Sequence, residues 1–328
     1  MPTISVVMPV YNAMPYLPEA LKSLFEQECD DFEIIALDDA STDGSAAYLD
    51  SIDDARLRVL HSPKLGITKL LNIGLREARG PLVARMDADD ISLPNRLSLQ
   101  RFFLETHPEV AVVGCQAEMI DQDGRSEGFW IWPLGNLVTK LALFRYETPF
   151  LHPCVMFRRD DAMVLGGYDE ALPCIQDRDF WWKFADRGRF CHLPDVLLRY
   201  RKHATQITTA RRDEQVRLGI EITKKYGALY GFSTAELDCF SRIDFGAESY
   251  NYRSVHPSAD ELETYVGVLN RILRMAAERW DVDDVEIDWA RRIRWRFLAK
   301  LLSIHKPPTR KWLRCLRALH HLAPGDAA

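Results

Sequence analysis

Short apolar segments alternate with helix-like segments up to residue 90. Runs rich in β-branched residues predict strands at 3–10, 32–37, 56–61 and 82–87. Amphipathic spacing predicts helices at 15–28, 43–52 and 67–78. Strands that are apolar along their whole length and separated by helices are typical of a parallel sheet covered on both faces. The sequence therefore predicts an α/β fold.

The pattern changes twice further along the chain. Between about 93 and 205 it is mixed, with strands expected at 110–115 and 154–158, a turn at 121–124 and a helix at 177–187. From 212 onward only helices are expected, broken near 227–231, 256–257 and 307–308. These changes divide the chain at 1–95, 96–211 and 212–328.

Composition excludes several protein classes. The chain has 328 residues, 47% of them hydrophobic and 27% charged, as in ordinary globular proteins. No apolar run approaches the roughly 20 residues that span a bilayer, and the N-terminus lacks the basic start of a signal peptide. The seven cysteines contain no CxxC, which favours reduced, mostly buried thiols in the cytoplasm over disulfides or a zinc site.

Polar residues follow three of the predicted strands, namely Asn12, the pair Asp38–Asp39 and the run 87–90. Parallel strands end at one edge of a sheet, and ligands bind in the crevice outside those carboxyl ends. The polar residues are therefore expected to meet at one ligand site.

The strongest motif is DADD at 87–90. Carboxylates at Asp87 and Asp89 can converge on one hard cation, whose coordination is completed by water or phosphate oxygens. An isolated DxD is more often a solvated acidic turn or a helix cap. Its position, level with two other polar strand ends, favours the metal site.

The segment LDDASTD at 37–43 is open to two interpretations. Asp, Ser and Thr after a strand are ordinary helix caps, but an acid there can also accept hydrogen bonds from a base or a ribose. Neither GxGxxG nor GxxxxGK[ST] occurs. Phosphate charge would then be neutralised by metal and side chains.

Several motifs in order resemble one enzyme family. They are PVYN at 9–12, DDASTD at 38–43, GITKLLNIGL at 66–75, ARMDADDISLPNRL at 84–97, LHPCVMFRR at 151–159, GGY at 166–168, QDRDFWWKFADRG at 176–188 and RYRKHATQIT at 199–208. Together they resemble a family 2 glycosyltransferase of the GT-A fold over residues 3–208. The resemblance implies a mostly parallel central sheet, with 1–95 as the nucleotide-sugar-binding half and 96–211 as the acceptor-binding half. Residues 212–328 form a helical C-terminal extension outside it.

The resemblance also implies an activity, the inverting transfer of a sugar from a nucleotide-sugar, with UDP favoured, to an acceptor hydroxyl with Mn²⁺ or Mg²⁺. In its site Pro9, Tyr11 and Asn12 line the nucleotide pocket, and Asp39 contacts the base with support from Asp38. Asp87 and Asp89 hold metal and diphosphate, with Asp90 behind them, and Asp177 is the general base.

Other assignments stay open between two alternatives. His203 is either a metal ligand or a structural residue. Four cations are either phosphate contacts or surface ion pairs, namely Lys69, Arg85, Arg199 and Arg201. Trp181 and Trp182 are either an acceptor wall or core.

The chain departs from the family pattern at one position. The family usually shows Glu-Asp where this chain has Gln176-Asp177. Loss of a neighbouring like charge removes one influence that raises the pKa of Asp177, which predicts a weaker base. Asp179 is the other candidate base, but it is expected to be an exposed acid facing elsewhere.

The C-terminal tail is basic although the chain is acidic. The net charge is −6, yet ten Lys and Arg and a single acid lie between Trp289 and Ala328. Basic residues interleaved with Trp, Phe and Leu predict either peripheral contact of 289–322 with an anionic membrane or a helical cap on the protein or a second subunit. Nucleic acid is not an expected partner because no reader motif accompanies the tail.

The sequence thus predicts a cytoplasmic glycosyltransferase acting in cell-surface polysaccharide or glycoconjugate synthesis, with a saccharide or lipid-linked saccharide acceptor. A non-catalytic nucleotide-sugar-binding or scaffold subunit is the main alternative, and a sugar nucleotidyltransferase is another. The sugar, the linkage and the oligomeric state stay open.

Overall fold

The computed structural model describes residues 1–204, 206, 211–248 and 257–305. The chain forms two compact units. The sheet unit comprises Met1–Leu134 and Phe150–Val216, and the helical unit comprises Gly135–Pro149 and the described residues from Arg217 onward. The short segment 135–149 thus belongs with the C-terminal helices, which its place in the sequence does not reveal.

The sheet unit contains nine strands, six α-helices and one short 3-10 helix, His152–Cys154, within the described ranges. The strands are β1 Ile4–Val10, β2 Phe32–Asp39, β3 Leu57–Ser62, β4 Leu82–Arg85, β5 Ile91–Ser92, β6 Val110–Ile120, β7 Ser126–Trp130, β8 Met156–Arg158 and β9 Arg189–Arg201. The helices are α1 Leu17–Phe25, α2 Ser45–Asp50, α3 Ile67–Glu77, α4 Arg96–Thr106, α6 Arg159–Val164 and α7 Gln176–Phe184.

The strands form one sheet in the order β3-β2-β1-β4-β8-β6-β9-β5, with β7 also paired to β6. The first four strands in this order are parallel to one another. Beyond them, β8 runs antiparallel to both β4 and β6, while β9 runs parallel to β6. The predicted α/β fold is confirmed.

Three of the four parallel strands are fully buried because helices cover them. Every residue of β1, β2 and β4 is buried, which explains why these segments are apolar without alternation. Helix α3 approaches β1 so closely at Gly74 that a Cβ atom there would overlap the side chain of Val7. Close packing of helix on strand thus requires glycine at this position.

The helical unit contains α5 Asn136–Phe144, α8 Arg212–Leu229, α9 Thr234–Glu248, α10 Ala259–Arg279 and α11 Asp284–His305, with the start of α8 lying in the sheet unit. A buried charge organises it. Asp244 accepts hydrogen bonds from Arg294 at 3.0 and 3.1 Å, from Arg145 at 3.2 Å and from the Tyr265 hydroxyl at 2.7 Å. Four segments of the unit therefore meet at one carboxylate.

Some elements were not predicted. The longest strand of the sheet unit, β9, contains Pro194 and Asp195, which interrupt its apolar pattern, and its register with β6 shifts at several points. The break between α10 and α11 at 280–283 is also missing from the predictions, whereas the break near 227–231 is confirmed. The expected break at 307–308 lies outside the described residues.

The cysteines in the described ranges are free thiols, and four of these six are buried; Cys315 lies outside those ranges. None of the helices that the structure describes is both long and apolar enough to cross a membrane.

Candidate active site

The loops after β1 and β2 are held together by side-chain hydrogen bonds. The Asn12 amide N–H donates to the Ser41 hydroxyl at 3.0 Å, and the Asn12 side-chain oxygen accepts the Thr42 amide N–H at 2.8 Å. Asp43 accepts the amide N–H of Met14 at 2.8 Å. Asn12 therefore shapes this edge of the sheet, and Pro9 lies buried in β1 beside it.

The carboxylate of Asp39 is occupied by the loop after β3. It accepts the amide N–H of Leu65 at 2.6 Å and that of Gly66 at 3.1 and 3.2 Å, and it pairs with the ammonium of Lys64 at 2.9 Å. Lys64 also lies over the ring of Tyr11, which is half exposed. Lys64 was not among the predicted site residues, although its place directly after a strand at this edge was a usable signal.

Three carboxylates of the DADD turn converge. One oxygen from each of Asp87, Asp89 and Asp90 lies within 4.8 Å of the others. Asp90 is fully buried; its Oδ1 accepts the Arg201 amide N–H at 2.9 Å, and its Oδ2 has no hydrogen-bond partner among the described residues. Burial, with the charges of Asp89 and Asp87, raises the pKa of Asp90 well above its usual value. An unsatisfied buried oxygen in an oxygen-rich cluster fits a hard divalent cation.

Arg85 lies directly before this turn and is almost fully buried. Its guanidinium forms an ion pair with Asp87. Burial raises the pKa of Asp87, and the charges of Asp89 and Asp177 add to the effect, whereas Arg85 opposes it. Arg85 therefore partly offsets negative charge at the turn, and because it is buried, the surface ion-pair alternative does not hold for this residue.

Two residues at the end of β9 approach the same turn. The Nε2 atom of His203 lies 2.8 Å from the Oδ2 atom of Asp89. Arg201 is buried; it donates to the backbone oxygen of Asp89 at 2.9 Å and pairs with Glu19 at 2.5 Å. His203 thus lies beside the carboxylate cluster, whereas Arg201 stabilises the backbone of the turn.

Asp177 lies in the first turn of α7, after Ile175 in a left-handed backbone conformation. Burial raises the pKa of Asp177, and the positive charges of Arg178 and Arg85 only partly oppose this. The neighbouring Gln176 is buried, and its side-chain oxygen has no hydrogen-bond partner within the described ranges. The pKa of Asp177 is therefore raised by burial, although its neighbour Gln176 carries no charge.

The expectation that Asp179 is an exposed acid is wrong. Its side chain is fully buried and pairs with Lys183 at 2.9 Å. Lys183 also donates to the backbone oxygen of Gly167 at 2.9 Å. Asp179 lies on the buried side of α7, so its carboxylate takes part in a buried ion pair and is not exposed.

The two tryptophans of α7 are buried, with exposures of 0% for Trp181 and 2% for Trp182. The Trp181 ring packs in an aromatic cluster with Phe150, Phe157 and Phe180, at centroid distances of 5.2, 6.4 and 5.3 Å. Neither indole offers an open face to an acceptor in this conformation. Core packing, the alternative interpretation, is what the structure contains.

The remaining predicted cations lie at the surface. Arg199 pairs with Glu118 at 2.7 Å, which agrees with a surface ion pair and not with a phosphate contact. Lys69 is exposed near the start of α3.

Sequence comparisons identify the family. The profile of glycosyl transferase family 2 matches residues 5–166. The putative glycosyltransferase EpsE of Bacillus subtilis is 32% identical over 208 residues, which are 61% of this chain and 73% of EpsE. The amylovoran biosynthesis glycosyltransferase AmsE of Erwinia amylovora is 32% identical over 214 residues, 63% of this chain and 79% of AmsE. The chain belongs to glycosyl transferase family 2. It is therefore an enzyme that transfers glycosyl groups.

Solved structures agree on the fold of this family 2 glycosyltransferase. S. aureus TarS 1–349 in complex with UDP superposes with a TM-score of 0.57 at 18% identity, covering 93% of this chain and 89% of that one. The mannosyltransferase PcManGT of Pyrobaculum calidifontis, in complex with GDP-Man and Mn²⁺, gives 0.54 at 20% identity, covering 98% and 86%. Both are GT-A-like transferases, so the predicted GT-A fold is confirmed.

Proposed function

We propose that this family 2 glycosyltransferase is an inverting, divalent-metal-dependent enzyme that moves a sugar from a nucleotide-sugar to an acceptor hydroxyl. The observation that carries the proposal is the convergence of Asp87, Asp89 and Asp90 within 4.8 Å. Asp177 lies near enough for its charge to raise the pKa of Asp87. A cation-binding cluster and a separate carboxylate are the two parts that such a transfer needs.

Asp87 and Asp89 are the proposed ligands of Mn²⁺ or Mg²⁺, and His203 is the proposed third side chain. Carboxylate oxygens suit both ions, and a neutral imidazole adds a nitrogen ligand that Mn²⁺ accepts. A bound cation would offset the charge that develops on the leaving diphosphate. Arg85, buried against Asp87, would hold that carboxylate in place beside the diphosphate.

Asp177 is the proposed general base, which takes the proton of the acceptor hydroxyl as that oxygen attacks the anomeric carbon. A base works best when its pKa lies near the working pH. Burial shifts the pKa of Asp177 in that direction.

The nucleotide is proposed to bind between Tyr11 and Asp39, beside Lys64. The half-exposed ring of Tyr11 offers a face for stacking, and a base N–H would bind Asp39 in place of the Lys64 ammonium. Structural neighbours are complexes with UDP, UDP-GlcNAc and GDP-Man, which supports a UDP- or GDP-linked donor.

The proposed acceptor is a saccharide or lipid-linked saccharide in cell-surface polysaccharide synthesis. Relatives include AmsE, named for amylovoran biosynthesis, and the O-antigen biosynthesis glycosyltransferase WbnJ of Escherichia coli, 27% identical over 208 residues. The proposed location is the cytoplasm, with the basic segment 289–322 against an anionic membrane. The part of this segment beyond 305 lies outside the described residues.

Sedimentation with anionic liposomes tests the membrane contact. A truncation after His305 keeps Arg294, which pairs with Asp244, yet removes five basic residues of the tail. Loss of binding in the truncated chain supports the contact, and equal binding refutes a role for 306–322.

Thermal-shift titration tests the central proposal. UDP, dTDP, GDP and CMP are each added with and without Mn²⁺ to the wild type and to Asp89→Ala. A ligand at a hundredfold excess over its Kd stabilises the folded state by about 2.7 kcal/mol. We expect a metal-dependent shift with one nucleoside diphosphate that the variant loses. No shift with any of them would favour a non-catalytic scaffold role.

A further inference from the structure

His61, at the end of β3, lies between two carboxylates. Its Nδ1 atom is 3.1 Å from the Oδ2 atom of Asp38, and its Nε2 atom is 2.9 Å from the Oδ1 atom of Asp50. Asp38 comes from β2 and is 4% exposed, whereas Asp50 ends α2 and is 63% exposed. The imidazole thus connects a buried acid to a surface acid.

This geometry favours the positively charged form of the ring. A neutral imidazole donates from one nitrogen and accepts at the other, and an ionised carboxylate can only accept. Both nitrogens face carboxylate oxygens, so only the imidazolium satisfies both contacts. Hydrogen bonds to Asp38 and then to Asp50 accordingly raise the pKa of His61.

Asp38, the buried carboxylate that contacts His61, also binds the loop beside the proposed nucleotide site. Asp38 accepts the Ser41 amide N–H at 3.1 Å, and the Ser41 hydroxyl accepts the Asn12 amide N–H at 3.0 Å. Burial raises the pKa of Asp38, but hydrogen bonds from Ser41 and His61 outweigh it and hold that pKa low. The chain of contacts from His61 therefore ends next to Tyr11.

We propose that His61 is a positioning residue for the nucleotide site, whose protonated ring clamps Asp38 and Asp50 and makes nucleotide affinity depend on pH. The inference rests on the proposed function of the site. The charged groups that face the ring are Asp38 from β2 and Asp50 from α2. As the pH rises through the pKa of His61, the ring keeps one donor for two carboxylates, so its hydrogen bond to Asp38 is made only part of the time and the loop held by Asp38 loosens. Nucleotide affinity is therefore highest below that pKa.

Calorimetric titration over pH 6 to 9 tests this with UDP or GDP, whichever stabilises the wild type more. At each pH we divide the Kd of His61→Gln by the Kd of the wild type. Protonation of the nucleotide affects both Kd values equally, so it cancels in this ratio. We expect wild-type affinity to fall about three- to tenfold more than that of His61→Gln across this range. His107→Gln is the matched control, because the His107 ring stacks on Phe103 at the end of α4; it should follow the wild type.

Asp50→Asn supplies a second test. Removing the exposed carboxylate lowers the pKa of the ring, so the fall in affinity should move to lower pH, and the ring pKa measured by NMR should move with it. Identical pH dependence in wild type and His61→Gln overturns the role of His61. A wild-type ring pKa no higher than that of free histidine also overturns it. A wild type that binds none of the nucleotides overturns the proposed function itself, which is a different outcome.

Discussion

The imidazole of His203 contacts the carboxylate of Asp89 at 2.8 Å, although the two residues lie 114 positions apart. The contact joins the end of β9 to the turn after β4. We expect His203→Ala to weaken Mn²⁺ binding by about ten- to a hundredfold, the range measured when groups supporting a metal site are removed. Manganese affinity is measured by calorimetry in the presence of the nucleotide. His203→Asn, which keeps one polar donor, is expected to lose less; wild-type affinity in both variants contradicts the contact's role.

Asp177→Asn should lower the rate of transfer by about 10²–10⁴-fold and leave donor affinity unchanged, because the amide cannot accept the acceptor's proton. Initial rates of nucleoside diphosphate release with a nucleotide-sugar and acceptor measure this. Asp123→Asn, a surface acid paired with Arg125, is the control. Retained turnover in Asp177→Asn would remove the assignment.

As the pH is lowered along the acid limb of the pH–rate profile, the wild-type transfer rate should begin to fall at a pH above the usual carboxyl pKa, because burial raises the pKa of Asp177. Gln176→Glu places a like charge beside the base and should move this limb to higher pH by about one unit. If the acid limb of the pH–rate profile stays at the same pH in a folded Gln176→Glu variant, a group other than Asp177 controls that limb.

Asp244→Asn should destabilise the helical unit by about 3–5 kcal/mol, because it removes the buried carboxylate that the guanidinium groups of Arg145 and Arg294 share. Urea denaturation of the full chain measures this. Lys22→Ala, which breaks an exposed pair with Glu26, should cost no more than about 1 kcal/mol. Equal costs for the two variants contradict the importance of burial.

Low pH should also weaken the ion pairs between Asp244 and the two arginines. Burial raises the pKa of Asp244, but the charges of Arg294 and Arg145 outweigh this and lower it to about 2. The folded-state pKa is depressed, so its stabilisation is complete above the unfolded carboxyl pKa and is lost as pH falls from about 4 towards 2. Unfolding followed over this range should show a loss in the wild type that Asp244→Asn lacks.

Trp181→Ala should destabilise the sheet unit by about 3–5 kcal/mol, because it empties a large volume inside the aromatic cluster. Trp130→Ala, at a ring that is 45% exposed, should cost about 1 kcal/mol or less. Thermal melts of both variants test the core packing of Trp181. A small loss of stability in Trp181→Ala would contradict this packing.

The sequence by itself determined the parallel half of the fold and the family. Apolar strands with helices between them, and polar residues at the strand ends, follow from periodicity. The turn at 87–90 is local in sequence, so Asp87 and Asp89 share a site wherever the strand lies. These features depend on neighbours along the chain.

Only the tertiary structure decided which side chains are buried and which distant groups meet. Lys64 on Asp39, His61 between Asp38 and Asp50, and the inward turn of Asp179 depend on how loops and helices pack. The strand β9 was missed because Pro194 interrupts its pattern, while pairing with β6 overrides local propensity. Burial, which gives Asp177 a raised pKa, is a property of the surrounding fold that no local stretch of sequence contains.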